Sequence, residues 1–138
     1  MDKGRKKILV VDDDGSIVDS VCRHLTREGF STRGLTNPLQ ALQELEAGDY
    51  GVLITDILMP EMDGVGLLRA AKSRNPFLQV ILMTGQVRMN YLLEGFAAGA
   101  SNCFFKPFES LTPLSQEVSS CLAKIERIRD VLLQRSQL

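Results

Sequence analysis

The sequence predicts an α/β protein, in which a doubly wound, five-stranded parallel sheet is covered by five helices. Two observations lead to this prediction. Short apolar runs alternate with amphipathic segments of helical period along the 138 residues, and most of the runs end at polar or turn-forming residues. Strands buried on both faces are continuous apolar runs, and their alternation with helices is typical of parallel sheets. The length favours a single domain.

The first half of the chain contains three predicted strands and two helices. Apolar residues at helical spacing follow Gly15, and Gly29 ends this first helix. Pro38 begins the second helix, because its missing N–H costs little in the first turn, and Gly48 ends it. We expect Leu39, Leu42 and Leu45 of that helix to point inward. The strands are Ile8–Val11, an edge strand Phe30–Leu35, and Val52–Asp56.

Turn signals bound the elements of the second half in the same way. Pro60 and Gly64 break the chain after the third strand, and the third helix ends before Pro76, since a residue that precedes proline disfavours helix. The last helix begins at Thr112 and runs to about Arg135. The remaining predictions are the strands Leu78–Met83 and Asn102–Phe105, and between them a helix with Met89, Leu92, Leu93 and Phe96 that ends at Gly99.

Composition excludes several classes of function. A formal net charge of −1 gives no general attraction to nucleic acid or to an anionic membrane, and no apolar run reaches the length of a membrane span. The three cysteines, Cys22, Cys103 and Cys121, are widely spaced and odd in number. They are typical of free thiols in a reducing compartment, so we expect a cytoplasmic protein without disulfides or a zinc site.

Polar side chains follow four of the predicted strands at the point where each strand ends. They are Asp12, Asp13 and Asp14 after the first strand, Asp56 at the end of the third, Thr84 after the fourth and Lys106 after the fifth. The carboxyl ends of parallel strands lie at one edge of the sheet, which is where ligands bind in open α/β folds. We therefore expect these side chains to form one site.

The carboxylates of that edge predict a cation site. Two like charges about 4 Å apart repel by about 4 kcal/mol at an effective dielectric of about 20, so a cluster must protonate, spread or bind a cation. Oxygen ligands with room for a phosphate suit Mg²⁺. The alternative for Asp12–Asp14 is a simple loop that caps the first helix. Beside a cation, Asp56 is a workable nucleophile toward phosphorus, while Lys106 and Thr84 can bind phosphoryl oxygens.

These residues resemble the receiver domain of two-component response regulators. The matching segments are Ile-Leu-Val-Val-Asp-Asp-Asp at 8–14, the strand of Asp56 with Met-Pro-x-Met-Asp-Gly at 59–64, Leu-Met-Thr-Gly at 82–85 and Lys-Pro-Phe at 106–108. The resemblance covers about residues 6 to 124. It implies a flavodoxin-like sheet of order 2-1-3-4-5. It also implies a cis peptide bond before Pro107.

The resemblance implies a role for each matching residue. Asp56 would accept a phosphoryl group from the phosphohistidine of a sensor histidine kinase or phosphotransfer protein. Asp13, Asp56 and the backbone carbonyl of Leu58 would hold Mg²⁺, and Asp12 would act through a water. Thr84 and Lys106 would bind the phosphoryl oxygens. The protein would then not be an enzyme beyond self-phosphorylation and autodephosphorylation, and its change of conformation would control a downstream effector or output domain.

Cys103 departs from the family pattern. Family members usually carry Tyr or Phe three residues before the lysine, as a switch linked to the threonine, and a cysteine is small and apolar. Phe105 shares the register of Cys103, whereas Phe104 faces the other side of the strand. The departure leaves open a receiver-like domain that binds proteins without being phosphorylated, although every other site residue is present.

A phosphatase of the haloacid dehalogenase type is the alternative from another class. Asp12–Ser16 resembles the Asp-x-Asp-Gly-Thr loop of that family. That family needs an acidic pair after its lysine, whereas only Glu109 and Glu117 follow Lys106, and Asp56 would have no role. Turnover of a small phosphomonoester that survives the loss of Asp56 would favour this alternative.

The last helix carries an apolar seam with heptad spacing. Its members are Leu114, Val118, Cys121, Ile125, Ile128 and Leu132. The first half of the seam is expected to pack on the sheet. We divide the chain into a receiver domain at 1–124 and a helical extension at 125–138, which either forms a homodimer contact or begins a linker to an output domain. No nucleic-acid or membrane contact is expected.

Overall fold

The structure is a computed structural model that describes residues 6–136. Its strands and helices alternate along the chain. The strands are β1 (Lys7–Val11), β2 (Thr32–Leu35), β3 (Tyr50–Asp56), β4 (Gln79–Thr84) and β5 (Asn102–Phe105). The helices are α1 (Gly15–Arg27), α2 (Pro38–Ala47), α3 (Gly64–Arg74), α4 (Met89–Ala97) and α5 (Thr112–Ser136).

The five strands form one parallel sheet of order β2-β1-β3-β4-β5. This confirms the α/β class, the strand order that the resemblance implied and the parallel pairing. Strand β3 lies at the centre, and every one of its residues is buried. The alternation of apolar runs and helices was sufficient to predict the α/β class and the parallel pairing, because a strand covered on both faces has to be apolar throughout.

Two apolar layers hold the helices to the sheet. On one face, alternate residues of β1, β3 and β4 pack with α2, α3 and α4, and Leu53 and Leu82 are central to that layer. On the other face, Ile8, Ile54 and Ile81 pack with α1 and α5. The alternation of side chains along each strand therefore divides the core into two layers.

One predicted orientation is wrong. Leu39 was expected to point inward, but its side chain is 50% exposed, while Pro38 and Ala41 of the same helix are buried. Residues two apart on a helix lie on nearly opposite sides, so Leu39 and Ala41 cannot both face the sheet. Leu42 and Leu45 do pack against the core.

Helix α5 is continuous through the predicted boundary at residue 124. Its 25 residues correspond to about 37 Å. Leu114, Val118 and Cys121 are buried against the sheet, whereas Val131 and Leu132 are 51% and 52% exposed. Among residues 6–136, no helix combines the length and the apolar character that a membrane span requires.

Candidate phosphoryl and metal site at the carboxyl edge of the sheet

The loop after β1 holds one buried and two exposed carboxylates. Asp12 is 0% exposed, while Asp13 and Asp14 face solvent. The Asp14 carboxylate accepts hydrogen bonds from the Ser16 backbone N–H at 2.9 Å and from the Ser16 hydroxyl at 2.6 Å, and it thereby caps α1. The capping role that was the alternative for Asp12–Asp14 is thus observed for Asp14. Of the three aspartates, Asp12 and Asp13 are therefore the candidates for the predicted cation site.

Asp56 is the last residue of β3, as predicted, and lies beside Met83 of β4 in the sheet register. The chain turns sharply after it, and the Gly64 N–H donates to the Ile57 carbonyl at 2.6 Å. A Cβ at position 64 would collide with the Asp56 carbonyl oxygen. The glycine at the start of α3 is therefore required by the close approach of two backbones next to Asp56.

Three carboxylates converge in an acidic pocket, which consists of Asp12, Asp13 and Asp56. One carboxylate oxygen from each lies within 4.8 Å of the other two. The backbone brings them together because β1 and β3 are neighbours, with Val11 paired to Thr55 just before the carboxylates. The predicted convergence of these three residues is therefore observed.

Lys106 reaches the same pocket from the end of β5. Its ammonium Nζ lies 2.8 Å from Asp12 Oδ2 and 3.4 Å from Asp56 Oδ2. The Lys106 backbone N–H donates to the Thr84 carbonyl at 2.8 Å, which ties the loop to β4. The peptide bond between Lys106 and Pro107 is cis, as the resemblance implied. The lysine thus lies where it can contact any group bound to Asp56.

The charges in the pocket perturb one another. Burial raises the pKa of Asp12, against the opposing effect of its hydrogen bond with Lys106. Burial, followed by the charge of Asp12, raises the pKa of Asp56. Burial disfavours the charged form of Lys106, but its contacts with Asp12 and Asp56 outweigh burial and raise its pKa. The one ammonium of Lys106 is therefore shared by two carboxylates, whose negative charges it does not fully neutralise.

Thr84 lies at the end of β4 as predicted, but its hydroxyl contacts its own loop. The hydroxyl donates to the Gln86 carbonyl at 2.9 Å and accepts from the Gln86 N–H at 3.1 Å. Such a turn is a common local use of threonine. The sequence analysis did not identify Gln86 as the hydrogen-bond partner of Thr84. The sequence signal for this contact is the position of the threonine two residues before a loop residue.

Two other predicted positions lie beside the pocket. Cys103 is half-buried on the α4 side of the sheet, where burial and then the charge of Asp56 raise its pKa to about 11. Leu58 is half-buried two residues after Asp56, and the assignment of its carbonyl to a metal remains a prediction.

The donor set of the acidic pocket fits a hard divalent cation. Three carboxylates supply oxygen ligands, and one of them, Asp13, is exposed to solvent, which leaves room for water ligands. The single ammonium of Lys106 cannot neutralise all three negative charges. The residues present are therefore compatible with Mg²⁺.

Comparisons with known proteins agree with this geometry. The model of the response regulator receiver domain family matches residues 8–118, which is more than half of the chain. The DNA-binding transcriptional regulator NtrC of Proteus hauseri is 36% identical over 127 residues, which make up 92% of this chain and 25% of the regulator. The transcriptional regulatory protein BasR of Escherichia coli is 29% identical over 74% of this chain and 46% of its own length.

Solved structures show the same fold. A CheY-like receiver domain protein from Methanospirillum hungatei has a TM-score of 0.85 at 28% identity, covering 90% of this chain and 98% of that one. The beryllofluoride-activated NtrC4 receiver domain dimer has a TM-score of 0.81 at 26% identity, covering 86% and 98%. The chain spans about a quarter of the length of the NtrC regulators that it matches. By its family model, its relatives and its fold, the chain belongs to the receiver domains of two-component response regulators.

Proposed function

We propose that Asp56 is the phosphoacceptor of this receiver domain and takes its phosphoryl group from the phosphohistidine of a sensor histidine kinase or a phosphotransfer protein. One observation carries the proposal: the Asp56 carboxylate ends the central strand within 3.4 Å of the Lys106 ammonium and within 4.8 Å of two further carboxylates. A carboxylate oxygen of Asp56 attacks phosphorus, and the bond from phosphorus to the imidazole nitrogen breaks.

The acidic pocket is the proposed Mg²⁺ site. Asp13 and Asp56 would be direct ligands, together with the Leu58 carbonyl, and the buried Asp12 would act through a water. When bound, Mg²⁺ offsets negative charge on the phosphoryl oxygens. Lys106 moves its contact from the carboxylates toward those oxygens, as a point charge can do without a fixed geometry.

Thr84 is the proposed link to the rest of the domain. Its hydroxyl has to leave Gln86 before it can donate to a phosphoryl oxygen, so phosphorylation favours a different arrangement of the exposed loop at 85–88. The response is a shift in population between two conformations, driven by this difference in contacts. Cys103 offers no large aromatic side chain to move with the loop, so the switch here relies on Thr84 and the loop.

The domain is proposed to be a phosphoacceptor without a separate substrate that it turns over. Its chemistry would be limited to self-phosphorylation from small donors and autodephosphorylation. The output belongs to a downstream effector or to an output domain, and we propose that residues 1–124 form the receiver unit. Residues 125–138 would then form a homodimer contact or a signalling helix, which the exposed apolar residues at the end of α5 support.

The test of Asp56 uses acetyl phosphate or phosphoramidate with Mg²⁺. We expect an acid-labile gain of one phosphoryl group in the intact mass of the wild-type chain and none for Asp56→Asn. Asp63→Asn is the matched control, since Asp63 is an exposed aspartate that caps α3 and asparagine can keep that cap. A persistent mass gain in Asp56→Asn would refute the assignment, and turnover of p-nitrophenyl phosphate by that variant would favour the phosphatase.

A further inference from the structure

We propose that Asp14 is a positioning residue for the acidic pocket, and that it acts through its cap on α1 and not through its charge. The inference rests on the proposed cation site. Asp14 lies outside the acidic pocket, and its carboxylate is turned toward Ser16. Its backbone, however, contacts the one member of the pocket that is completely buried.

The backbone N–H of Asp14 donates to Asp12 Oδ1 at 2.9 Å. The other oxygen of that carboxylate, Oδ2, accepts from Lys106 at 2.8 Å. Asp12 is thereby fixed from both sides, with one oxygen held by its own loop and the other directed to the centre of the site. The direction of Oδ2 depends on where the Asp14 N–H points.

The orientation of that N–H depends in turn on the cap. The Asp14 side chain accepts from the Ser16 N–H and the Ser16 hydroxyl, and its carbonyl accepts from the Ile17 N–H at 3.1 Å. These bonds hold Asp14 in an extended conformation with φ −88° and ψ 105°. Without the side-chain bonds, the loop loses the contacts that aim the amide at Asp12, and the exposed Asp13 between them loses its position as well.

Charge and capping make opposite predictions for one substitution. Asparagine is as good a helix cap as aspartate and keeps the acceptor oxygen, but it removes the negative charge. Alanine removes both. If the cap positions Asp12, Asp14→Asn retains the affinity of the pocket for the cation and Asp14→Ala lowers it. If the charge of Asp14 attracts the cation, both variants lower that affinity equally.

The experiment measures Mg²⁺ binding by titration calorimetry on the full 138-residue chain, which contains no tryptophan to serve as a fluorescent reporter. We expect Asp14→Ala to lower the affinity about tenfold, as losses of groups that orient metal ligands do. We expect Asp14→Asn to remain within about twofold of wild type. Equal losses in the two variants, or no loss in Asp14→Ala, would overturn the inference.

A second readout needs no metal. The backbone amide of residue 14 is held by Asp12, so its hydrogen exchange in the metal-free chain is expected to be faster in Asp14→Ala than in Asp14→Asn or wild type. Equal exchange in all three overturns the inference. If wild type binds no Mg²⁺, the proposed cation site fails, and the exchange rates alone decide the role of Asp14.

Two further variants complete the test. Asn37→Ala removes the corresponding cap of α2, which accepts from the Leu39 N–H at 2.8 Å, and is expected to leave Mg²⁺ affinity unchanged. Ser16→Ala removes only the 2.6 Å hydroxyl contact and is expected to give a smaller loss than Asp14→Ala, so it replaces that variant if alanine at 14 prevents folding. An unchanged affinity and amide exchange in Ser16→Ala would then overturn the inference.

Discussion

The Lys106 ammonium lies 2.8 Å from the fully buried Asp12 carboxylate, although 94 residues separate them along the chain. The contact joins the end of β5 to the end of β1 across the two strands between them. Asp56 lies 3.4 Å from the same ammonium. Since one positive charge serves two buried carboxylates, the pocket keeps a negative excess that suits a second cation.

Lys106→Ala is expected to destabilise the metal-free chain by about 3 kcal/mol, because it leaves buried carboxylates without their cation. Mg²⁺ binding should persist, since none of the proposed ligands is lost. The phosphorylated chain should show a weaker change of conformation. Urea unfolding measures the loss of stability, and calorimetry measures Mg²⁺ binding. NMR shifts with and without phosphodonor measure the change of conformation. An unchanged conformational response would contradict the role assigned to Lys106.

Mg²⁺ is expected to raise the free energy of unfolding more in a test at pH 7.5 than in a test at pH 4.5. The pKa values of Asp12 and Asp56 in the folded chain are raised above the ordinary value of 3.8. Their protonated forms therefore stabilise the metal-free fold fully below pH 3.8, and this stability is lost as the pH rises through the raised pKa values. Ionised carboxylates bind the cation best. At one hundred times Kd the gain is about 2.7 kcal/mol.

Thermal melts with and without Mg²⁺, at matched ionic strength, measure this gain. Asp13→Asn serves as the comparison, because it removes the exposed carboxylate that is proposed as a ligand and substitutes neither member of the buried pair of Asp12 and Lys106. We expect its Mg²⁺-induced rise in Tm to be smaller than that of wild type at pH 7.5. An equal rise in Tm for wild type and Asp13→Asn would show that Mg²⁺ binds outside the acidic pocket.

Gly64→Ala is expected to reduce stability by about 1–3 kcal/mol and to slow phosphorylation from small donors. The added Cβ would collide with the Asp56 carbonyl, so the backbone around Asp56 has to shift. Gly85→Ala is the control for stability from the same edge of the sheet, since a Cβ there meets no atom within 4 Å. Urea unfolding should separate the two variants, and the initial rate of mass gain should be lower in Gly64→Ala than in the wild-type chain.

The sequence was sufficient to predict which residues meet. Asp12, Asp56 and Lys106 each follow an apolar run, and in a parallel sheet the ends of such runs lie at one edge. The strand pattern therefore carried long-range information, because a buried strand can be recognised without knowing its neighbours. Sequence periodicity alone left the order of the strands open, and the resemblance to receiver domains supplied it.

Side-chain directions outside regular strands could not be predicted in the same way. The Thr84 hydroxyl lies at the expected strand end but bonds to Gln86, because a local turn satisfies it. Leu39 has an apolar side chain at a plausible spacing, yet Ala41 occupies the face of α2 that approaches the sheet closely. The collision that requires glycine at position 64 depends on the path of a neighbouring backbone, which no local pattern reports.

The end of α5 leads to the last prediction, that of a homodimer through its exposed seam. Ile128 is half-buried and Leu132 is 52% exposed, so the seam continues beyond the point where the sheet covers it. In a parallel pair the heptad positions that flank the seam would bring Lys124 of one copy near Arg129 of the other. Repulsion between these like charges is screened by salt, so association should strengthen as ionic strength rises.

Sedimentation equilibrium over a range of concentrations, with and without phosphodonor, measures this association. Leu132→Asp should shift the chain toward the monomer mass, because it introduces a charge into the seam. Gln134→Asp, at an exposed position of the same helical turn outside the seam, should have little effect. A monomer mass at all concentrations, in both phosphorylation states, would refute the dimer and leave the signalling helix as the role of residues 125–138.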